Sequence, residues 1–244
     1  GDNVFNIYKA DISQLFVSEP GIDWKNNPEL RVRVLDFFIP NPYIEKWENT
    51  YPGRERDIAF LFLDRPLKGK AITGILGKEA IETLKRDQSE LITIGYGSTG
   101  YKIRNEGVPF FAPHRARFRN PERPDIDESM YISVTGMNLG STCPGDSGGG
   151  LLQEKDGSRF LVGIIFGGGT LTCHFGTPHT GNWSTEAALV WPYVNVIDLK
   201  YAEFLAKQVE LNKVKDTIGK SITCKKGKKV VKIKKIHSKC PKGF

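Results

Sequence analysis

The stretch Cys143-Pro144-Gly145-Asp146-Ser147-Gly148-Gly149-Gly150 constrains this chain more than any other. Glycines carry no Cβ, so the backbone can turn sharply there and aim its N–H groups at a ligand. Two N–H groups aimed at one spot form an oxyanion hole, and a serine hydroxyl beside it is a candidate nucleophile. The same residues could also spell an ordinary Gly/Ser/Asp turn. The choice between these readings rests on the rest of the chain.

At 244 residues the chain can bury a full core, and its 39% apolar and 26% charged content suits a globular domain. No apolar run approaches the 18 or so residues needed to span a bilayer. The start, GDNVFNIYKADIS, has no basic segment followed by an apolar one, so no signal peptide is read there. The chain begins at Gly1 instead of Met, which suggests a mature or cut form. Charge is uneven. Residues 216–244 hold 10 Lys and one acid, 10 − 1 = +9, which leaves 25 − 27 = −2 for residues 1–215. The basicity belongs to a tail, so the net charge of +7 does not argue for a nucleic-acid-binding protein.

The four cysteines are Cys143, Cys173, Cys224 and Cys240, none in a CxxC spacing that would suggest zinc. Two fall in the body and two in the tail. This distribution suggests the pairs Cys143–Cys173 and Cys224–Cys240 and an oxidising compartment. Four free thiols in a reducing compartment are the alternative.

Strands are expected over residues 3–11 and 30–39; in the second, Val32 and Val34 alternate with Arg31 and Arg33. Asn41-Pro42-Tyr43 reads as a turn. Asp57-Ile58-Ala59-Phe60-Leu61-Phe62-Leu63 is apolar on both faces and predicts a buried strand with an acid at its mouth. Residues 66–90 read as a connector with one amphipathic helix, 78–85. Further strands are expected at 91–97, at 131–134, at 151–152 and 159–166 as a hairpin, and at 187–191. Pro192 opens a helix over 193–213 with Val194, Ile197, Tyr201, Phe204 and Val209 on its apolar face. Many short strands and one terminal helix indicate an all-β fold. The Lys-rich tail reads as a hairpin stapled by Cys224 and Cys240, either a solvated face or a contact for an anionic surface polymer.

Gly145-Asp146-Ser147-Gly148-Gly149, with Asp57-Ile58-Ala59-Phe60-Leu61 ninety residues earlier, resembles the chymotrypsin/trypsin-like serine peptidase family. Gly95-Tyr96-Gly97, Asn41-Pro42-Tyr43, the Cys143/Cys173 pair and the Tyr193-Val194-Asn195-Val196-Ile197 helix start fit the same family in order and spacing. The resemblance covers residues 3–214. It implies two antiparallel six-stranded β-barrels, the first incomplete here. It also implies a serine endopeptidase, secreted and extracellular, acting on protein or peptide substrates without metal or organic cofactor. The expected divisions are 1–67 for the remainder of the first barrel, 68–90 for a connector, 91–214 for the second barrel with its helix, and 215–244 for the tail.

By this resemblance Ser147 is the nucleophile, and the N–H groups of Gly145 and Ser147 form the oxyanion hole. Asp57 orients a catalytic histidine. Asp146 shapes the loop, in many relatives by pairing with a freed N-terminal ammonium. Ser141 falls at the base of the substrate pocket and Gly168 at its mouth. An uncharged pocket base argues against selection for Arg or Lys and favours an apolar or small residue before the scissile bond.

The family histidine precedes the aspartate, whereas His114, His174, His179 and His237 all follow Asp57. These four read as exposed or capping histidines, and the catalytic one is expected upstream of residue 1. Phe166 stands where the family usually has a serine that supports the aspartate. The alternative is an inactive homologue that serves as a binding or surface-anchored protein.

Overall fold

The computed structural model describes residues 11–18, 25–40, 57–68, 72–100, 103–104, 110–117, 129–137, 142–168, 184–219, 221–226 and 229–234. Residues 3–10 of the strand expected at 3–11 and the turn Asn41-Pro42-Tyr43 lie outside these residues, and Asp11 caps a 3-10 turn over Ile12–Gln14 instead of ending a strand. The chain divides into two compact units, Gly1–Ile197 and Asp198–Phe244.

The first unit opens with β1 (Phe16–Val17), β2 (Val32–Phe38) and β3 (Phe60–Leu63), which form a three-stranded sheet in the order β1-β2-β3. Val32 and Val34 are buried and Arg33 is exposed, as the alternation predicts. A bulge between Val34 and Asp36 then shifts the register of β2 against β3. β3 departs from expectation. It starts at Phe60 instead of Asp57, and only Phe62 within it is fully buried; Leu61 is 40% exposed. Among the described residues β3 is an edge of this sheet.

After β4 (Gly74–Ile75) comes α1 (Lys78–Arg86), within one residue of its expected bounds. Ile81 and Leu84, three apart, are its buried apolar side chains. The barrel follows: β5 (Glu90–Gly95), the short pair β6 (Ser98–Gly100) and β7 (Ile103–Arg104), β8 (Phe110–Ala116), β9 (Tyr131–Gly136), β10 (Gly150–Lys155), β11 (Ser158–Gly168) and β12 (Ser184–Leu189). Six of these strands run β10-β5-β8-β9-β12-β11, and β11 pairs back onto β10 to close the ring. β4 adds to β11 in parallel.

Local chemistry explains the pairings. Asp156 and Gly157 adopt φ of 52° and 72°, the left-handed conformation of a two-residue hairpin turn, and they join β10 to β11. Pro113 lies inside β8, where a proline usually disqualifies a strand. Its carbonyl accepts the Met137 N–H, and the β8–β9 register begins one residue later at His114↔Gly136. The missing N–H therefore falls just past the end of that ladder.

The barrel is filled by alternate residues from every strand. Leu91, Ala116, Ile132, Val134, Leu151, Val162, Ala187 and Leu189 form one cluster, with Ile81 and Leu84 of α1 packed onto it. Leu151 is fully buried here. Leu151→Ala is expected to cost about 3 kcal/mol of stability, read from chemical denaturation at constant m-value. A second cluster ties the three-stranded sheet to the barrel's exterior. In it Ile58 packs with Val190 and Tyr193, and Phe60, Met130, Leu161 and Ile164 surround them.

α2 (Val194–Gly219) begins in the first unit and continues through the second, followed by the hairpin β13 (Ser221–Lys226) and β14 (Lys229–Lys234). The helix buries Phe204 but leaves Tyr201 50% and Val209 55% exposed. The expected apolar face is therefore only partly correct. Leu199, Leu205 and Leu211 are also exposed, so apolar residues spread around the helix and periodicity alone could not select the buried side. The hairpin expected in the tail is present, with Cys224 opposite Val231. Cys240 lies outside the described residues, so the expected staple does too. No described helix is long and apolar enough to cross a membrane.

Candidate active site

The Ser147 loop joins β9 to β10 and is bound to the barrel at several points. Gly145 and Gly148 adopt φ of 99° and 88°, a region open mainly to glycine, and so reverse the chain on both sides of Asp146 and Ser147. Most backbone N–H groups of the loop are spent internally. Asp146 N–H donates to the Cys143 carbonyl at 3.0 Å, Gly148 N–H to Ile165 at 2.7 Å and Gly149 N–H to Asp146 at 2.9 Å. Cys143 N–H donates to Asp146 Oδ2 at 2.7 Å. Among the described residues the N–H groups of Gly145 and Ser147 donate to no acceptor, and both residues are exposed. Ser147 is thus exposed in a loop where its own N–H and that of Gly145 are unspent donors among the described residues.

Asp146 turns its carboxylate towards the end of β5. Its Oδ1 accepts the Gly97 N–H at 2.7 Å. The sequence pointed to this loop and to Gly95-Tyr96-Gly97 separately; the structure brings them together. A Gly-x-Gly at a strand end often marks the close approach of another chain segment, but it does not say which segment. Thr142 and Thr185 were missed altogether. Their hydroxyls meet at 2.6 Å, both buried, and Thr185 sits opposite Gly168 in the β11–β12 register. This bond fastens the start of the Ser147 loop to β12, beside the end of β11 that carries Gly168, the expected pocket mouth. Ser141 and Cys173 lie outside the described residues.

Asp57 is exposed, immediately before the buried Ile58 that anchors this segment on the barrel. Phe166 is buried with Tyr131 and Ala188. Its ring is used in packing, and it offers no hydroxyl to an aspartate.

His114 differs from the exposed or capping histidine expected there: it is fully buried in the barrel. Its Nε2 lies 2.9 Å from Thr93 Oγ1, while its Nδ1 has no partner among the described residues. The Thr93 hydroxyl also reaches the Ala112 carbonyl at 3.3 Å. A Thr93 proton directed there assigns the imidazole proton to Nε2 and leaves Nδ1 a bare lone pair. Burial lowers the His114 pKa to about 4, because a second ring N–H would face no acceptor and the cation no water. This imidazole is neutral and has no access to Ser147 chemistry in solvent. The other three histidines lie outside the described residues. Among the described residues no group of three or more His, Cys, Asp or Glu side chains could hold a metal ion.

A closed antiparallel barrel with a Gly-Asp-Ser-Gly loop tied to its rim defines a serine-peptidase-like domain. The family model described as Trypsin matches residues 17–181, more than half of the chain. This chain therefore belongs to the trypsin family. No curated protein matches it.

Proposed function

We propose that the chain is the larger part of a secreted serine endopeptidase. Ser147 is its nucleophile, Gly145 and Ser147 N–H are its oxyanion donors, and Asp57 orients an imidazole supplied from outside this chain. The observation that carries this reading is the exposed Ser147 whose own N–H and that of Gly145 are unspent, in a loop whose Cys143, Asp146, Gly148 and Gly149 N–H groups are committed. In the reaction, the imidazole takes the Ser147 proton as Oγ bonds to the substrate carbonyl carbon. The carbonyl oxygen becomes an oxyanion held by the two N–H groups. Collapse breaks the peptide C–N bond, the imidazolium returns its proton to the leaving amine, and water then hydrolyses the acyl ester.

The pocket reading, an uncharged base at Ser141 with Gly168 at the mouth, favours a small or apolar residue before the scissile bond. The Cys143–Cys173 and Cys224–Cys240 pairs, and export with them, belong to the same proposal; no described cysteine is a free thiol, which supports it. The tail hairpin carries Lys225, Lys226, Lys229, Lys232 and Lys234, and this charge supports contact with an anionic surface polymer. Phe166 favours the second reading, a non-catalytic binding protein, because it cannot support Asp57.

A fluorophosphonate separates the two readings. The complete protein is expected to be labelled on Ser147, and the 244-residue chain is expected to stay unlabelled for want of a base. A complete protein that resists labelling would establish the binding-protein reading.

A further inference from the structure

Side chains alternate along β12. Ala187 and Leu189 fill the barrel, whereas Ala188 packs outside it with Tyr131 and Phe166. Glu186 shares the outer face with Ala188, and the strand register sets it opposite Gly167 of β11. A carboxylate thus stands on the outer face, only 5% exposed, beside a residue that has no side chain. A Cβ on Gly167 would lie 3.6 Å from Glu186 Oε2, an ordinary contact distance. The space that a side chain would fill at Gly167 is therefore walled by a carboxylate oxygen. Gly167 is half-buried and Gly168 beyond it is exposed, so this space opens at the end of β11. Its low exposure keeps the oxygen out of bulk solvent, where its attraction for a cation is screened least.

This opening is close to the nucleophile. Ile165, two residues before Gly167, is bonded to the Ser147 loop in both directions: its carbonyl accepts the Gly148 N–H at 2.7 Å, and its own N–H donates to the Gly149 carbonyl at 2.9 Å. At about 3.3 Å per strand residue, Gly167 lies within about 7 Å of that attachment. An extended peptide has the same spacing, so one whose carbonyl is held at Ser147 brings side chains a few residues away to the gap. Gly168 is the expected mouth of the pocket for the residue before the scissile bond, which places the neighbouring Gly167 on the acyl side. We propose that Glu186, reached through the gap at Gly167, is a specificity-determining residue that selects a Lys or Arg side chain two to four residues before the scissile bond. Together with the uncharged pocket base at Ser141 it defines the substrate class: a small or apolar residue at the scissile bond and a basic one upstream. This proposal rests on the reading of Ser147 as the nucleophile and names the substrates of that site.

The test uses the complete protein and peptides with Ala before the scissile bond and Lys, norleucine or Glu at the second, third or fourth position before it. Norleucine keeps the lysine stem and lacks the charge. At one of these positions kcat/KM is expected to be about tenfold higher for Lys than for norleucine, lowest for Glu, and the preference should shrink at high ionic strength. Glu186→Gln keeps the shape of the side chain without its charge and is expected to bring the Lys/norleucine ratio within about twofold. Gly167→Leu keeps the charge but fills the gap, for which the 3.6 Å contact leaves room, and is expected to do the same. It also decides the matter should Glu186→Gln fail to fold. A ratio within about twofold at all three positions in the native protein would overturn the proposal, as would a tenfold ratio that survives either substitution. Calorimetric Kd values of the same peptides for the Ser147→Ala protein keep the two readings apart. A native protein that neither cleaves nor takes the fluorophosphonate label sinks the nucleophile reading alone, and the Lys/norleucine ratio of Kd values still decides the part played by Glu186.

Discussion

Ser147→Ala in the complete protein is expected to lower kcat for peptide hydrolysis about 10⁶-fold while leaving Tm within about 1 °C. The two halves of this expectation have separate causes. Ser147 is exposed, and among the described residues its hydroxyl has no hydrogen-bond partner, so truncation empties no packed space and strands no partner. The loop is held instead by Asp146 and by the Gly148 and Gly149 N–H groups, which the substitution leaves intact. Stopped turnover with an unchanged melting curve would therefore isolate the chemistry of the hydroxyl. A residual rate within tenfold of the native one would remove Ser147 from the mechanism.

The second large effect is acid destabilisation through His114. In the unfolded chain its imidazole titrates near 6.5, and in the barrel burial holds it to about 4. A lowered histidine pKa means that the fold prefers the neutral form. This stability is fully present above the unfolded value and is lost as pH falls from about 6.5 towards 4. The difference corresponds to about 3 kcal/mol. Carboxylates also titrate in this window, so a reference is needed. Urea unfolding of the native protein and of His114→Gln, each at pH 7 and pH 4, supplies it. Glutamine can reach Thr93 without taking a proton. The native protein should lose about 3 kcal/mol more than the variant, and identical losses would mean that His114 takes no part.

The same histidine shows where sequence reading fails. A short segment of Pro, His, Ala and alternating Arg gives little sign of a strand, and a lone histidine carries no sign of its own burial. Its environment is made by Leu91 and Thr93 on the neighbouring strand, residues more than twenty positions away. Elements with a local cause were legible. Val32 and Val34 alternate with arginines, Asp156-Gly157 makes its own turn, and the helix over residues 78–86 carries its own apolar stripe. Elements defined by what covers them were not. The segment beginning at Asp57 looks doubly buried as a string of apolar residues, yet Leu61 within it is exposed. Tyr201 and Val209 fall at helical spacing on a side that stays open to solvent. At the candidate site the Ser147 loop was plain, because glycine, acid and serine are adjacent in the chain. The attachment of Asp146 to Gly97 was not, because 49 residues separate the partners.

That separation also bears on the order in which the molecule assembles. A contact between residues so distant in sequence forms late, after the closure entropy of the intervening chain has been met. β5 and β10 must already lie side by side before the Asp146 carboxylate can accept the Gly97 N–H. A half-folded chain therefore holds Ser147 on a segment that this contact does not yet constrain. For the peptidase proposed above, this order would keep a chain from acting on its own unfolded copies.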